Sequence, residues 1–203
     1  MSEFTDCIIA GAAPTDTDIF PTGNELIIAA DGGADLLRES GIIPHIVIGD
    51  MDSASEGSFG TRTEVIEFPP EKDDTDTVFA VKEAIKRGYK EFLLIGVIGA
   101  RLDHTLGNVY ILELLDELGL NGRIIDDYSE MELVSQEPAY IEDSYAYFSL
   151  INITGIAKGI TIDNAKYPLK DGEIKCGYQY GVSNEVLMGQ KAMVIVDEGK
   201  LLL

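Results

Sequence analysis

The sequence predicts an α/β protein, with an N-terminal, mostly parallel sheet covered by helices on both faces and a smaller C-terminal all-β sandwich domain. Three observations predict this. Short apolar runs alternate with helical patterns through the first half, as in parallel sheets buried on both faces. The helical patterns stop at glycines, a common helix C-terminal signal. After about Asp127 the helical period disappears, and short β-like stretches separated by turn signals take over. The boundary falls near Tyr128-Ser129-Glu130, which gives one domain over residues 1–128 and a second over residues 129–203.

The elements follow in order. Cys7–Gly11, Leu26–Asp31, Ile46–Gly49, Val65–Phe68, Glu91–Ile98 and Gly122–Asp126 read as strands. Gly33–Ser40 reads as a short helix closed by Gly41. Thr75–Arg87 sets Val78, Val81 and Ile85 on one face, carries Lys86 and Arg87 in its last turn, and stops at Gly88. Asp103–Leu118 is apolar almost all round, which predicts a well-buried helix. In the second half, Glu132–Ser135, Tyr145–Ile153, Gly159–Ile162, Glu185–Leu187, Ala192–Val196 and Lys200–Leu203 read as strands. Thr154-Gly155, Lys170-Asp171-Gly172 and Asp197-Glu198-Gly199 read as turns between them.

Composition narrows the function. The 203 residues are 45 % hydrophobic, enough to build a core. The net charge of −21 argues against nucleic acid, whose binding rests on clustered Lys and Arg. It suits solubility and would steer a cationic small molecule. Cys7 and Cys176 form no CxxC pair, and Cys7 lies in an apolar run, so neither a disulfide framework nor a cysteine zinc site is expected. No run approaches the ~20 apolar residues of a membrane span. The acidic start, Met1-Ser2-Glu3-Phe4-Thr5-Asp6, has no signal-peptide character, so a cytoplasmic protein is expected.

Chemistry concentrates where strands end. Asp31 closes the second strand; Asp50 and Asp52 follow the third; Asp73, Asp74 and Asp76 follow the fourth; Asp103 follows the fifth. In open α/β sheets the carboxyl ends of the strands form the ligand crevice. Crowding like charges there is unfavourable unless a cation sits among them. Mg²⁺, a hard ion held by a few carboxylates and substrate phosphates, is the natural candidate. Taken singly, several of these residues have plainer explanations. Asp73, Asp74 or Asp103 serves as a helix cap, and Gly32-Gly33 as a turn with positive φ. Asp50 and Asp52, two carboxylates in one tight loop, are poor structural elements. Cations are scarce, so Lys72 inside the acidic motif and Arg101 before a helix N-terminus stand out as phosphate partners. His104 and Asn108 are spaced to share a helix face, although His104 alone reads as a partly buried histidine. No P-loop, dinucleotide fingerprint or hydrolase triad is present.

The ordered set of motifs resembles the thiamin pyrophosphokinase family. It comprises Ala30-Asp31-Gly32-Gly33-Ala34, Ile43 through Ser53, Lys72-Asp73-Asp74-Thr75-Asp76, Gly96 through His104 with Asn108, and Gly181-Val182-Ser183-Asn184-Glu185. The resemblance implies a catalytic α/β domain, a β-sandwich that helps bind thiamin, and a homodimer with active sites at the subunit interface. It implies Asp31, Asp50, Asp52 and Asp76 as Mg²⁺ ligands. Gly32, Gly33, Thr75, Arg101, Asp103, His104 and Asn108 fall on the nucleotide side, and Ser183 and Asn184 on the thiamin side. Lys72, Asp73, Asp76 and Arg101 are the implied catalytic groups, with ATP as co-substrate. Three positions depart from the family pattern: Ala100 where Gly is frequent, His45 where Asp is common, and Met51 where Phe is common. The chain has no Trp to set against the thiamin ring; Tyr178 and Tyr180 are candidates, though ordinary β-domain packing explains them as well. A metal-dependent phosphohydrolase using the same carboxylates, or a non-catalytic nucleotide- or thiamin-binding module, are the competing readings.

Overall fold

A computed structural model of the chain describes residues 6–49, 62–67 and 73–203. The predicted site residues Asp50, Asp52 and Lys72 lie outside the described residues. The chain forms two compact units, Ser2–Glu130 and Met131–Leu203.

Among the described residues, the first unit is built on six parallel strands. β1 (Cys7–Ala10), β2 (Leu26–Ala30) and β3 (Ile46–Gly49) are buried along their whole length. β4 (Glu64–Glu67), mostly exposed, forms one edge, and β5 (Glu91–Ile95) and β6 (Asn121–Ile125) lie on the other side of β1. The order is β6-β5-β1-β2-β3-β4, every neighbouring pair parallel. Among the described residues, three helices cross over: α1 (Gly33–Glu39), α2 (Asp76–Lys86) and α3 (Leu102–Glu117). Successive strand side chains point to opposite faces. Ile8, Ala10, Ile27, Ala29 and Val47 pack with Ala34 and Leu37 of α1. The alternate residues, including Ile9, Ile28 and Ile48, face the other way, and α2 packs against β1, β2 and β3 and touches α3. Helices therefore cover both faces, as the sequence predicts.

The sheet order reverses between β1 and β5. The chain runs outward from β1 to β4 on one side, then returns to place β5 on the other. A ligand crevice is expected outside the carboxyl ends at such a switch point.

Two expectations for this unit need correction. β5 ends at Ile95 and not at Ile98, because Gly96 turns the chain at φ 59. α3 is not buried all round. Asn108, Ile111, Leu112 and Leu115 are buried, while Leu102, Leu106 and Tyr110 are 71 %, 53 % and 49 % exposed. One sheet layer covers one side of a helix, and an all-round apolar sequence does not reveal which side stays open.

The second unit is antiparallel. β8 (Ala139–Glu142), β10 (Ile156–Asp163), β11 (Leu169–Lys175) and β13 (Lys191–Ile195) form a sheet in the order β11-β10-β13-β8. β9 (Phe148–Leu150) pairs with β12 (Gly181–Asn184), and β7 (Glu130–Val134) with β14 (Leu201–Leu202). Residues from these strands, among them Phe148, Leu150, Ile160, Ile174 and Val194, share one core. β8 and β11 were not legible as strands. Lys170-Asp171-Gly172 is not a turn: it lies inside β11, where Asp171 at φ 51 and a shift of register mark a bulge. The predicted strand Tyr145–Ile153 shrinks to β9, and the predicted Glu185–Leu187 gives way to β12, one motif earlier. Among the described residues, no helix is long and apolar enough to cross a membrane.

Candidate active site

Loops at the carboxyl ends of the parallel strands carry most of the predicted residues. Asp31 follows β2 and takes φ 49, while Gly32 keeps an ordinary φ of −60. The positive φ expected of the Gly32-Gly33 pair therefore sits on the aspartate. The Asp31 N–H donates to the Ile48 carbonyl at 2.7 Å. A Cβ placed on Gly49 would lie 3.9 Å from Asp31 Oδ1, so the Asp31 carboxylate stands beside the residue that precedes Asp50 in the chain. The two glycines serve close approach instead of turn geometry. A Cβ on Gly33 would fall 2.0 Å from the Ala10 carbonyl oxygen, and one on Gly32 would meet the Ala12 Cβ at 3.0 Å.

The acidic motif before α2 is arranged by Thr75, whose Oγ1 accepts the Val78 N–H at 3.3 Å. Capping therefore falls to Thr75, not to Asp73 or Asp74. Asp74 pairs with Lys82 at 2.6 Å, Asp73 is exposed, and Asp76 opens the helix half-buried.

Arg101 is the N-cap residue of α3 and supplies no side-chain cap. Its Nε and Nη2 grip Asp103 at 3.1 and 2.6 Å. That fork, helped by the His104 N–H, holds the Asp103 carboxyl down at about 2 and pushes the Arg101 guanidinium up. Asp103 is thus the Arg101 partner and not the helix cap. His104 is exposed, where the sequence alone favoured partial burial. Asn108 is buried and donates its amide to the Val97 carbonyl at 2.7 Å, which pins the β5–α3 loop. Thr105 Oγ1 accepts the Gly99 N–H at 3.0 Å and fixes the same loop from the other side.

In the second unit, Ser183 is exposed at φ 61 and its N–H donates to Ser149 Oγ at 3.0 Å. Asn184 is buried. Its Oδ1 accepts the N–H groups of Tyr167 and Glu185, and its Nδ2 donates to the Tyr167 carbonyl at 2.9 Å. Its amide therefore holds Tyr167 beside Ser183. Lys166 pairs with Glu185 at 2.6 Å and lies 5.6 Å from the Tyr167 ring centre. Tyr178 and Tyr180 are 70 % and 43 % exposed, their ring centres 5.6 Å apart, so packing in the core does not account for them.

Among the described residues, no three His, Cys, Asp or Glu side chains gather as a metal site. The donor chemistry nevertheless suits a hard divalent cation. Asp31 offers an exposed carboxylate at the strand end adjoining Asp50, and Asp52 and Asp76 are oxygen donors of the same kind.

The sequence reading missed the connection from β1 to β2, residues 11–25, which has neither helix nor strand. It opens at the switch point. Gly11 N–H donates to Ile95 O and Ala13 N–H to Gly96 O, each at 2.8 Å. A Cβ on Gly96 would meet Gly11 O at 2.8 Å, so only glycine lets these two loops interlock. A glycine immediately after the first apolar strand was the available signal. A cavity of about 200 Å³ under this connection is lined by Ile8, Leu93, Ile95 and Ile125 with Ile19 and Phe20. It contains none of the predicted site residues.

Comparisons with known proteins bear on this geometry. Residues 21–121 match the family described as Thiamin pyrophosphokinase, catalytic domain, and residues 134–201 match Thiamin pyrophosphokinase, vitamin B1 binding domain. A thiamine pyrophosphokinase of Bacillus subtilis (strain 168) is 29 % identical over 171 residues, 80 % of this chain and 78 % of that protein. The crystal structure of thiamine pyrophosphokinase from Bacillus subtilis superposes with a TM-score of 0.87 at 25 % identity, covering 97 % of this chain and 96 % of that one. That of thiamin pyrophosphokinase from Geobacillus thermodenitrificans gives 0.82 at 26 % identity, covering 97 % and 94 %. With one family matched across both halves and similar structures spanning nearly the whole chain, this protein belongs to the thiamin pyrophosphokinase family.

Proposed function

We propose that the chain transfers the pyrophosphoryl group of ATP to the hydroxyl of thiamin, giving thiamin diphosphate and AMP. The observation that carries this reading is the Asp31 carboxylate beside Gly49, with Asp50 and Asp52 next in sequence, at the carboxyl edge of a parallel sheet. Family membership names the acceptor.

Asp31, Asp50, Asp52 and Asp76 would hold Mg²⁺, which when bound offsets charge on the phosphate oxygens. The residues do the rest by position. The thiamin oxygen forms a bond to the β-phosphorus while the bond from that phosphorus to the α-phosphate oxygen breaks, and AMP leaves with that oxygen. The hydroxyl proton passes to Asp73 or Asp76. Lys72 and Arg101 supply positive charge beside the phosphates, and Asp103 keeps Arg101 oriented through its fork. Gly32, Gly33 and Thr75 shape the loops that face the nucleotide, with His104 exposed on α3 and Asn108 on the nucleotide side fixing the β5–α3 loop from its buried position. Ser183 faces thiamin, with Asn184 on the thiamin side holding the Tyr167 backbone from its buried position, and the exposed tyrosines of the second unit suit a cationic ring.

The active form is a homodimer. Leu102, Leu106 and Tyr110 make an open apolar stripe on α3, starting next to Arg101, which supports an interface that includes the active site. Two free cysteines suit a reducing compartment, in keeping with a cytoplasmic enzyme.

The test is to supply ATP and Mg²⁺ with and without thiamin. AMP and thiamin diphosphate appear together only when thiamin is present. ATP breakdown without an acceptor would overturn the reading in favour of a phosphohydrolase. Asp52→Asn is expected to reduce turnover by orders of magnitude with the fold intact, checked by activity alongside circular dichroism.

A further inference from the structure

Three neighbouring strand-end loops are tied together through the connection between β1 and β2. Ala13 N–H binds the loop after β5. Two residues later, a single oxygen of Asp127, just after β6, accepts three donors: the Thr15 hydroxyl, the Asp16 N–H at 2.8 Å and the Thr17 hydroxyl at 2.9 Å. Asp126 builds the turn that presents Asp127, accepting the N–H groups of Tyr128 and Ser129 at 2.9 and 2.7 Å. The far end of the connection is closed separately by Glu25, which accepts the N–H groups of Thr22, Gly23 and Asn24. With no helix in this segment, its path near the switch point rests on the backbone bonds from Gly11 and Ala13 and, beyond them, on such side-chain bonds. Charge-assisted hydrogen bonds are the strong ones, and three on one carboxylate fix a backbone closely.

We propose that Asp127 is a positioning residue for nucleotide binding: it sets the Thr15–Thr17 backbone against the triphosphate without touching it. This rests on the reading of ATP as co-substrate. The hydrogen bonds from Thr15 and Thr17 also hold the Asp127 carboxyl below its ordinary range, so it stays ionised when the bonds are made.

The experiment is calorimetric titration of the wild type, Asp127→Ala and Asp127→Asn with a non-hydrolysable ATP analogue plus Mg²⁺, and separately with thiamin. Thermal melts of all three proteins accompany the titrations. Asp127→Ala should bind the analogue about tenfold more weakly, the loss of roughly one charged hydrogen bond. Asp127→Asn should recover much of this, because its amide oxygen accepts the same donors. Thiamin affinity should stay near wild type, while the melting temperature of Asp127→Ala falls modestly, because the hydrogen-bonded carboxylate also stabilises the fold, and that of Asp127→Asn falls less. The proposal is overturned if Asp127→Ala binds the analogue as wild type does, or if it weakens thiamin binding as much as analogue binding. It is also overturned if wild type does not bind the analogue. If wild type binds the analogue but makes no AMP with thiamin, the transfer reading fails while the role of Asp127 stands.

Discussion

Asp31, Ala100 and Ser183 are non-glycine residues held at φ 49, 52 and 61, and each adjoins or belongs to a predicted site. Such conformations cost about 1–2 kcal/mol and persist where the surroundings fix them. Ala100 precedes Arg101 in the stretch where the family often has Gly. Ala100→Gly should therefore raise stability by about 0.5–1 kcal/mol, since relief of the left-handed strain outweighs the added freedom of the unfolded chain. A higher melting temperature checks this, and a lower one refutes it. Glu25 gives a second prediction. Burial pushes its carboxyl up, but the Thr22 hydroxyl and the N–H groups of Thr22 and Gly23 outweigh that and hold it down at about 2, from an ordinary 4.5. A depressed carboxyl stabilises the fold fully above its unfolded value and loses that contribution as pH falls through the folded one. Glu25→Gln should therefore cost about 2 kcal/mol at neutral pH, with the difference from wild type shrinking between pH 4.5 and about 2. Denaturant unfolding at several pH values measures it; a difference independent of pH would refute it.

Helix and strand ends decide where these residues sit. α1 begins against β1 because Gly33 lets the Ala10 carbonyl approach to where a Cβ would be. Gly33→Ala should force the helix off the strand, lowering stability by about 1–3 kcal/mol and weakening nucleotide binding, since Asp31 rides on the same turn. An unchanged melting temperature would contradict this. The parallel half was legible because its central strands β1, β2 and β3 are continuous apolar runs and its helices carry their own stop signals. Even so, the sequence could not say that Thr75 takes the cap and leaves the neighbouring aspartates to other partners, because Asp, Asp and Thr all cap well. The carboxylates at the strand ends were legible by their recurrence. Asp127 and Glu25 were not, because each acts on a loop with no periodic pattern. In the second unit, β11 was hidden by Asp171-Gly172, which reads as a turn and folds as a bulge within the strand. Asn184 was legible as a motif residue, but its grip on the Tyr167 backbone was not, since that contact joins distant segments.

At the scale of the whole chain, 36 acidic residues face 15 Lys and Arg, and the net charge of −21 opposes compaction. Simple salt should therefore raise the melting temperature by screening exposed charges, an effect that depends on ionic strength alone. A bound divalent ion adds a different contribution. It stabilises the folded state by mass action, about 2.7 kcal/mol when free ion is a hundredfold above its dissociation constant. Melts in NaCl and MgCl₂ at matched ionic strength separate the two. If Asp31, Asp50, Asp52 and Asp76 share one ion, MgCl₂ should give the higher melting temperature, and Asp52→Asn should remove the excess while keeping the response to NaCl. Equal melting temperatures in both salts would leave those carboxylates without a shared cation, and the assignment of the metal would fall even if the fold and the family stand.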